Sequence, residues 1–312
     1  MRFISLPDNP MPDGLEARTV TTADCVALRA GLVRPAGAVR GTVALLQGRA
    51  ETIEKYYEVI GELAARGFVV AALDWRGQGG SDRGLRNPLK GHVDDFADYD
   101  RDLDAFTSSL LLAETPEPRF ALAHSTGALI LLRALRGPDS AFARVVLTAP
   151  LIGLGSMNPP GWFVDGLSGL LTAAGLGDFY PPGASLVRVE ERSFEGNPLT
   201  GDARRFSRML AIVRERPDLA LGPPTIGWLH AACAAMRETS RHAFAAAIAT
   251  PVLAVSAGAD RVVKPVATER LIRRIRLGRQ VVIPGARHEI LMERDAVRSA
   301  FWAAFDAFIP GA

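Results

Sequence analysis

The chain is 312 residues long, 48% hydrophobic and nearly balanced in charge, with 36 basic against 34 acidic residues for a formal charge of +2. That length holds one large α/β domain or two smaller ones around a substantial core. The apolar content excludes a disordered chain, and the weak net charge without an aromatic RNA-binding motif argues against a nucleic-acid partner.

Cys25 and Cys233 are far apart and outside any Cys-x-x-Cys or Cys/His cluster, so no disulfide framework and no zinc site are expected, and a reducing compartment fits best. The N-terminal segment MRFISLPDNPMPDGLEART carries prolines and acids where a signal peptide needs an apolar run. GWFVDGLSGLLTAAGLG at 161–177, the longest apolar region, is broken by Asp165, Ser168 and several glycines and is too short to span a bilayer. The expectation is a cytoplasmic, soluble protein, with room for peripheral contact with an anionic membrane surface.

In chain order, EARTVTT, CVALRAGLV and GTVALLQG read as strands, the last ending in Gln47-Gly48. TIEKYYEVIGELAARG follows as a helix, with Ile53, Tyr57, Ile60 and Leu63 on one face and Gly67 at the stop. FVVAALD is a continuous apolar strand. The turn-rich loop DWRGQGGSDRGLRNPLKG leads to an amphipathic helix in HVDDFADYDRDLDAFTSSLLL, where apolar residues recur at intervals of three and four from Val93 to Leu110. Strand RFALAH, helix TGALILLRALRG and strand RVVLTAP come next. From about 151 to 240 the alternation stops and the texture is Gly/Pro-punctuated and helical. It resumes with strand PVLAVSAG, helix KPVATERLIRRIRL, strand QVVIPG and a last helix over about 293–309. Strands apolar on both faces that alternate with helices predict a mostly parallel, doubly wound α/β sheet of about eight strands. The predicted core is 1–150 with 241–312, and 151–240 is an inserted helical cap.

The stretch FALAHSTGALILL at 120–132 nearly spells the nucleophile elbow G-x-S-x-G, with Ala123 in place of the first glycine. Ser125 read alone is an N-cap serine. Read as a nucleophile, it sits on a strained strand-to-helix turn, with the Thr126 N–H as one oxyanion donor. A serine hydroxyl then needs a base to take its proton and an acid to orient that base, in the chain order Ser, Asp or Glu, His.

Of the histidines, His92 precedes the serine, His124 adjoins it, and His230 and His242 lie in or near the cap. His288, in VVIPGARHEI, follows a late core strand, where ligands bind in open α/β sheets. Among the acids after Ser125, Asp139 is in a turn and Asp165, Asp178, Asp202 and Asp218 fall in the cap region. Asp260, in VLAVSAGADRVV, stands immediately after a sheet strand. The expected nucleophile, acid and base are Ser125, Asp260 and His288. A second oxyanion donor is expected from the loop Gln47-Gly48-Arg49-Ala50, as the Arg49 backbone N–H. The plain alternative there is a strand-to-helix turn that uses a glycine.

QGRAETIEKYY, DWRGQGGSDR, GHVDDFADYDRDL, AHSTGAL, GADRVV and GARHEILME together make the chain, from about residue 15 to its end, resemble the α/β-hydrolase superfamily. More narrowly it resembles the monoacylglycerol lipase and lysophospholipase group, which also contains the serine aminopeptidase-like hydrolases. The resemblance implies the α/β-hydrolase fold and assigns these segments, in order, to the oxyanion loop, a structural loop, the start of a core helix, the elbow, the acid and the base. Two departures are Ala123 and Gln47, the latter where the family usually has histidine. The chemistry needs no cofactor and no metal.

The cap is where substrate choice should reside. Trp162, Phe163 and Leu167, with Leu170 and Leu171, are expected either to line an acyl-chain pocket or to form the buried face of a cap helix. DARRFSRMLAIVRERPD, with Arg204, Arg205, Arg208, Arg214 and Arg216, reads as a solvated helix face or as a surface for anionic lipid or a substrate phosphate. The expected function is a serine hydrolase of carboxylic esters acting on lipid-like monoacyl esters such as monoacylglycerol or lysophospholipid. An aminopeptidase or amidase on the same residues is the alternative, although no acidic cluster for a free amine stands out. A non-catalytic ligand-binding protein that keeps the fold is the third reading.

Overall fold

The computed structural model describes residues 2–137, 140–155, 160–184 and 191–310. The uninterrupted apolar runs become its central strands. β3 (Gly41–Leu46), β4 (Phe68–Leu73), β5 (Arg119–His124) and β7 (Val252–Ala257) are buried at every residue, and β6 (Arg144–Thr148) at all but its first. β1 (Glu16–Thr21) and β2 (Ala27–Val33) pair antiparallel at one edge, and β8 (Gly278–Ile283) forms the other. Among the described residues the strands make one eight-stranded sheet in the order β1-β2-β4-β3-β5-β6-β7-β8, parallel from β4 to β8.

Helices cover both faces, as strands without a polar face require. On one side α1 (Tyr57–Ala65), entered through a 3₁₀ turn at Ile53–Tyr56, and α10 (Asp295–Phe308) pack Ile60, Phe301 and Phe305 against Val43, Leu122 and Val255. The other side is built by α2 (Ala97–Phe106), α4 (Ser125–Ala134) and α9 (Pro265–Ile272), over a stripe of small strand residues that includes Ala44, Ala71, Ala121 and Ala254. Small residues there let α4 approach β3 closely. A Cβ at Gly127 would lie 2.5 Å from the carbonyl oxygens of both Leu46 and Gln47.

The single helix expected over 92–112 starts later, at Ala97, and loosens after Phe106. A π-helical turn at Thr107–Leu111 separates α2 from the short α3 (Leu112–Glu114). The Ser108 hydroxyl donates to the Asp104 carbonyl and the Ser109 hydroxyl to that of Ala105, which diverts the helical ladder.

Between β6 and β7 the described chain carries α5 (Gly161–Ala173), α6 (Ala203–Glu215), α7 (Ile226–Thr239) and α8 (His242–Ala246), with no sheet strand. In the basic run of α6, Arg204 and Arg214 are exposed, as a solvated face requires, but two arginines depart from both readings. Arg205 pairs with Glu58 at 2.6 Å and with Asp295 at 2.7 Å, and Arg208 reaches Glu58 at 2.7 Å. These two arginines dock α6 on α1 and α10 and do not face solvent or lipid, because Glu58 offers them a half-buried carboxylate. Among the described residues no helix is long and apolar enough to cross a membrane.

After β3 the chain first adds β4 on one side and then β5 on the other, so the connections leaving β3 and β5 diverge. The crevice at such a switch point, at the carboxyl ends of the strands, is where an open α/β sheet binds ligands.

Candidate active site

Four strand ends meet at that crevice: β3 with Gly48 and Arg49, β5 with Ser125, β7 with Asp260 and β8 with His288. Ser125 begins α4 directly after β5, with φ of +49°. A side chain in this left-handed region is strained, by roughly 1–3 kcal/mol, and is held only when its surroundings over-determine it. Here α4 is pinned to β3 through Gly127, and the Ser125 carbonyl accepts the Leu151 N–H at 3.1 Å. Ala123, by contrast, is fully buried inside β5 in register with Leu46 and Leu147, and is not among the positive-φ residues. The methyl that replaces the motif's first hydrogen therefore sits in ordinary strand geometry.

His288 Nε2 lies 3.0 Å from Ser125 Oγ, and His288 Nδ1 lies 2.8 Å from Asp260 Oδ2. A carboxylate only accepts, so Nδ1 carries the ring hydrogen and Nε2 faces the serine hydroxyl as an acceptor. The other oxygen of Asp260 accepts the N–H groups of Val262 at 2.8 Å and Val263 at 2.9 Å. Burial pushes the Asp260 carboxyl up, but the His288 hydrogen bond and charge and the two backbone donors outweigh it and hold it below its ordinary value. Of the other acids, Asp165 pairs with Arg237, Asp202 caps α6 and Asp218 pairs with Arg216, while Asp139 lies outside the described residues.

The loop after β3 is fixed on both sides of Arg49. Gly48 N–H donates to Glu51 and Ala50 N–H to the Gln78 side chain at 3.2 Å. Gly48 sits in a tight place: a Cβ would lie 3.0 Å from the His124 ring and 3.2 Å from Ser125 Cβ. Gln47, in the histidine's place, anchors the loop from below. Its side-chain amide donates to the Leu73 carbonyl and to Asp74, and its backbone carbonyl accepts from the Trp75 indole at 2.8 Å. Thr126 N–H belongs to the first turn of α4, where backbone donors have no intrahelical acceptor. Arg49 and Thr126 both line the cavity above Ser125.

Sequence reasoning missed the polar cluster beside this constellation. Lys55 bridges Glu51 and Glu289 at 2.6 Å each, and Tyr56 donates to Glu51 at 2.7 Å. The i, i+4 spacing of Glu51 and Lys55 was a visible signal for one bond, whereas Glu289 enters only through the tertiary fold. His124 stacks near His288 at 4.9 Å between ring centroids and bonds Thr148 through Nδ1. Burial, mainly, lowers its pKa to about 4, so it is neutral at pH 7.

The cavity above Ser125 has a volume of about 430 Å³ and an apolar side that includes Leu151, Leu154, Met209 and Leu229. Trp162, Phe163 and Leu167 are not at its wall. The expectation that they line an acyl pocket or form a buried face is corrected: with Leu170 they lie on the exposed side of α5, where Trp162 is 76% and Leu170 68% accessible. The reason is that α5 packs on α7 through its opposite side.

The sheet order, the elbow and the ordered strand-end residues define an α/β-hydrolase. Residues 37–295 match the family described as "Serine aminopeptidase, S33", and the chain belongs to that family. It is 34% identical over 274 residues to lysophospholipase L2 of Escherichia coli, covering 85% of this chain and 79% of the relative. It is 32% identical to the probable lysophospholipase L2 of Haemophilus influenzae over 268 residues, covering 86% and 83%. Among solved structures, a soluble variant of monoglyceride lipase from Saccharomyces cerevisiae superposes with a TM-score of 0.72 at 18% identity, covering 94% of this chain and 95% of that one.

Proposed function

We propose that this protein is a serine hydrolase that cleaves monoacyl lipid esters, monoacylglycerol or lysophospholipid, through an acyl-enzyme. The observation that carries the reading is the unbroken hydrogen-bonded line Ser125 Oγ, His288, Asp260 at a switch-point crevice. In the first half-reaction Ser125 Oγ attacks the ester carbonyl carbon while its proton passes to His288 Nε2. The Arg49 and Thr126 N–H groups hold the oxyanion. Collapse breaks the bond to the alcohol oxygen, which takes the proton from His288, and the acyl group stays on Ser125. A water then repeats the sequence, giving its proton to His288, and releases the fatty acid and the serine hydroxyl.

An apolar cavity side beside the serine supports an acyl chain as occupant, and the relatives named lysophospholipase support the substrate class. An aminopeptidase would need a free carboxylate for the substrate's amine, and the two that line the cavity among the described residues, Glu51 and Glu289, are both held by Lys55. The exposed apolar face of α5 supports peripheral contact with lipid surfaces, from which such a substrate would be drawn. Fluorophosphonate labelling and turnover of esters of graded chain length test the reading: wild type should label at Ser125 and turn over, and Ser125→Ala should do neither. Full turnover by Ser125→Ala would overturn the mechanism, and an unlabelled folded wild type would favour a non-catalytic ligand-binding role.

A further inference from the structure

The cavity wall that faces Ser125 from the oxyanion loop carries a cation without a counterion. Arg49 Nη2 donates to the Gly222 carbonyl at 3.1 Å, its guanidinium carbon lies 5.1 Å from the centre of a Trp228 ring, and its Nε–H is buried with no acceptor. Among the described residues no carboxylate lies within ion-pair distance of it. Three other arginines with buried head groups are ion-paired: Arg29 bonds Glu54 and Asp74, Arg76 bonds Asp102, and Arg298 bonds Glu58, while Arg83 is held by backbone carbonyls away from this cavity. A desolvated charge left unpaired is unfavourable unless a ligand supplies the partner.

The other charges at the cavity sharpen the point. Glu51 and Glu289 are both engaged by Lys55, so neither neutralises Arg49. Arg192 and Arg261 line the same space and add positive charge. Burial lowers the Arg49 pKa to about 10, Tyr99 and Tyr180 oppose that fall and Arg192 adds to it, so the guanidinium stays charged at pH 7.

Position then selects the anion. The backbone of Arg49 is the proposed oxyanion donor, so its side chain starts at the ester carbonyl and extends along the cavity wall. In a monoacyl glycerophospholipid the reacting carbonyl carbon and the phosphorus are about six bonds apart, at most about 7–8 Å at standard bond lengths. That is the reach of an arginine side chain from its own Cα. A guanidinium that keeps its charge and has donor hydrogens beyond the one given to Gly222 suits the oxygens of a phosphate.

Resting on the reading of the site as a monoacyl ester hydrolase, we propose that the Arg49 side chain recognises the phosphate of a monoacyl glycerophospholipid, with Arg192 as a second cation. It is a specificity residue that sets lysophospholipids above neutral monoacylglycerols.

The test is binding to the Ser125→Ala protein, which does not depend on turnover, using non-hydrolysable 1-O-octylglycerol 3-phosphate, neutral 1-O-octylglycerol and inorganic phosphate in calorimetry below the micellar range. The phosphate ether should bind at least about tenfold more tightly than the neutral ether, a charge-assisted hydrogen bond being of that order. The preference should collapse in the added Arg49→Gln variant and partly survive in Arg49→Lys. Should Arg49→Gln not fold, the Ser125→Ala protein itself decides: raising NaCl should weaken the phosphate ether and leave the neutral ether's affinity in place. Equal affinity for the two ethers, a preference that outlives Arg49→Gln, or a preference indifferent to salt overturns the proposal. Inorganic phosphate binding as tightly as the phosphate ether would assign the site to a free anion and overturn the lipid reading. Turnover of the corresponding octanoyl esters by wild type reports separately on the hydrolase reading: no hydrolysis of any ester with the binding preference intact would remove that reading alone.

Discussion

Lys55 Nζ lies 2.6 Å from a carboxylate oxygen of Glu289 and 2.6 Å from one of Glu51, so one buried ammonium joins the turn after β3 to the residue after His288. Burial pushes the Lys55 ammonium down, but its two carboxylates outweigh that and hold it above its ordinary value. For Glu51, burial pushes up while Lys55, His124 and Tyr56 bring the carboxyl to about 2. Lys55→Met leaves two buried carboxylates facing each other without a cation, and is expected to cost about 3–5 kcal/mol in urea unfolding at neutral pH. In that variant the carboxyls take up protons more readily folded than unfolded, so the deficit should shrink as pH falls from 8 to 5. A pH-independent deficit would place the ammonium outside the network.

The left-handed backbone at Ser125 separates function from stability. Ser125→Ala and Ser125→Gly should both be inactive, since neither has a hydroxyl. Ala keeps the strained φ and Gly relieves it, at some entropic cost in the unfolded chain, so Ser125→Gly should be the more stable of the two by about 1 kcal/mol. Equal thermal midpoints would mean that the turn is not strained.

The two positions that flank the serine in the elbow motif should respond to different degrees. Gly127→Ala drives a methyl into two backbone carbonyls that have no flexible end to move, and should destabilise by about 3 kcal/mol or more with loss of ester turnover. Ala123→Gly removes a methyl from a strand interior and should cost about 1 kcal/mol while turnover persists. Circular dichroism melts and ester kinetics on both variants check the contrast.

Acid should weaken the fold through His124. Its folded pKa of about 4 lies below the unfolded value, so the unfolded chain binds the proton first as pH falls. Stability is complete above about pH 6.5 and declines toward pH 4 by roughly 3 kcal/mol from this group. Asp260, also depressed, adds its loss only at lower pH, below the ordinary carboxylate range. His124→Gln should flatten the slope of unfolding free energy between pH 6.5 and 4.5; an unchanged slope would assign the acid limb to other groups.

The apolar side of α5 should matter at a lipid surface and not in solution. Trp162 and Leu170 are exposed enough that Trp162→Ser with Leu170→Ser should leave the melting temperature nearly unchanged. Co-sedimentation with phosphatidylglycerol-containing vesicles should fall several-fold. Retained sedimentation would move lipid contact away from this helix.

Much of the fold was legible because its signals are local. Apolar runs such as VALLQG and FVVAAL can be satisfied only where both faces are covered, and their alternation with helices prescribes a parallel sheet before any contact is known. That Ser125, Asp260 and His288 would meet was legible for a related reason: each follows a strand, and parallel strands deliver their carboxyl ends to one edge. The loosening of α2 after Phe106 was written in Ser108 and Ser109, but periodicity counts apolar residues and does not register two hydroxyls that compete for carbonyls.

Orientation was not legible. A 3.6-residue repeat says that α5 has an apolar side without saying which way it turns, so Trp162 and Phe163 could be assigned to a pocket wall that they do not reach. Arg205 and Arg208 of α6 looked like part of a solvated stripe because Glu58, 147 residues away from Arg205, is visible only once α6 lies on α1. The same holds at the site. Residue order along the chain determined which side chains could meet at the sheet edge. Only the packed structure decided that Lys55 would hold both nearby carboxylates and that Arg49 would be left, among the described residues, with no carboxylate to pair with, because pairing and desolvation depend on distances between segments far apart in sequence.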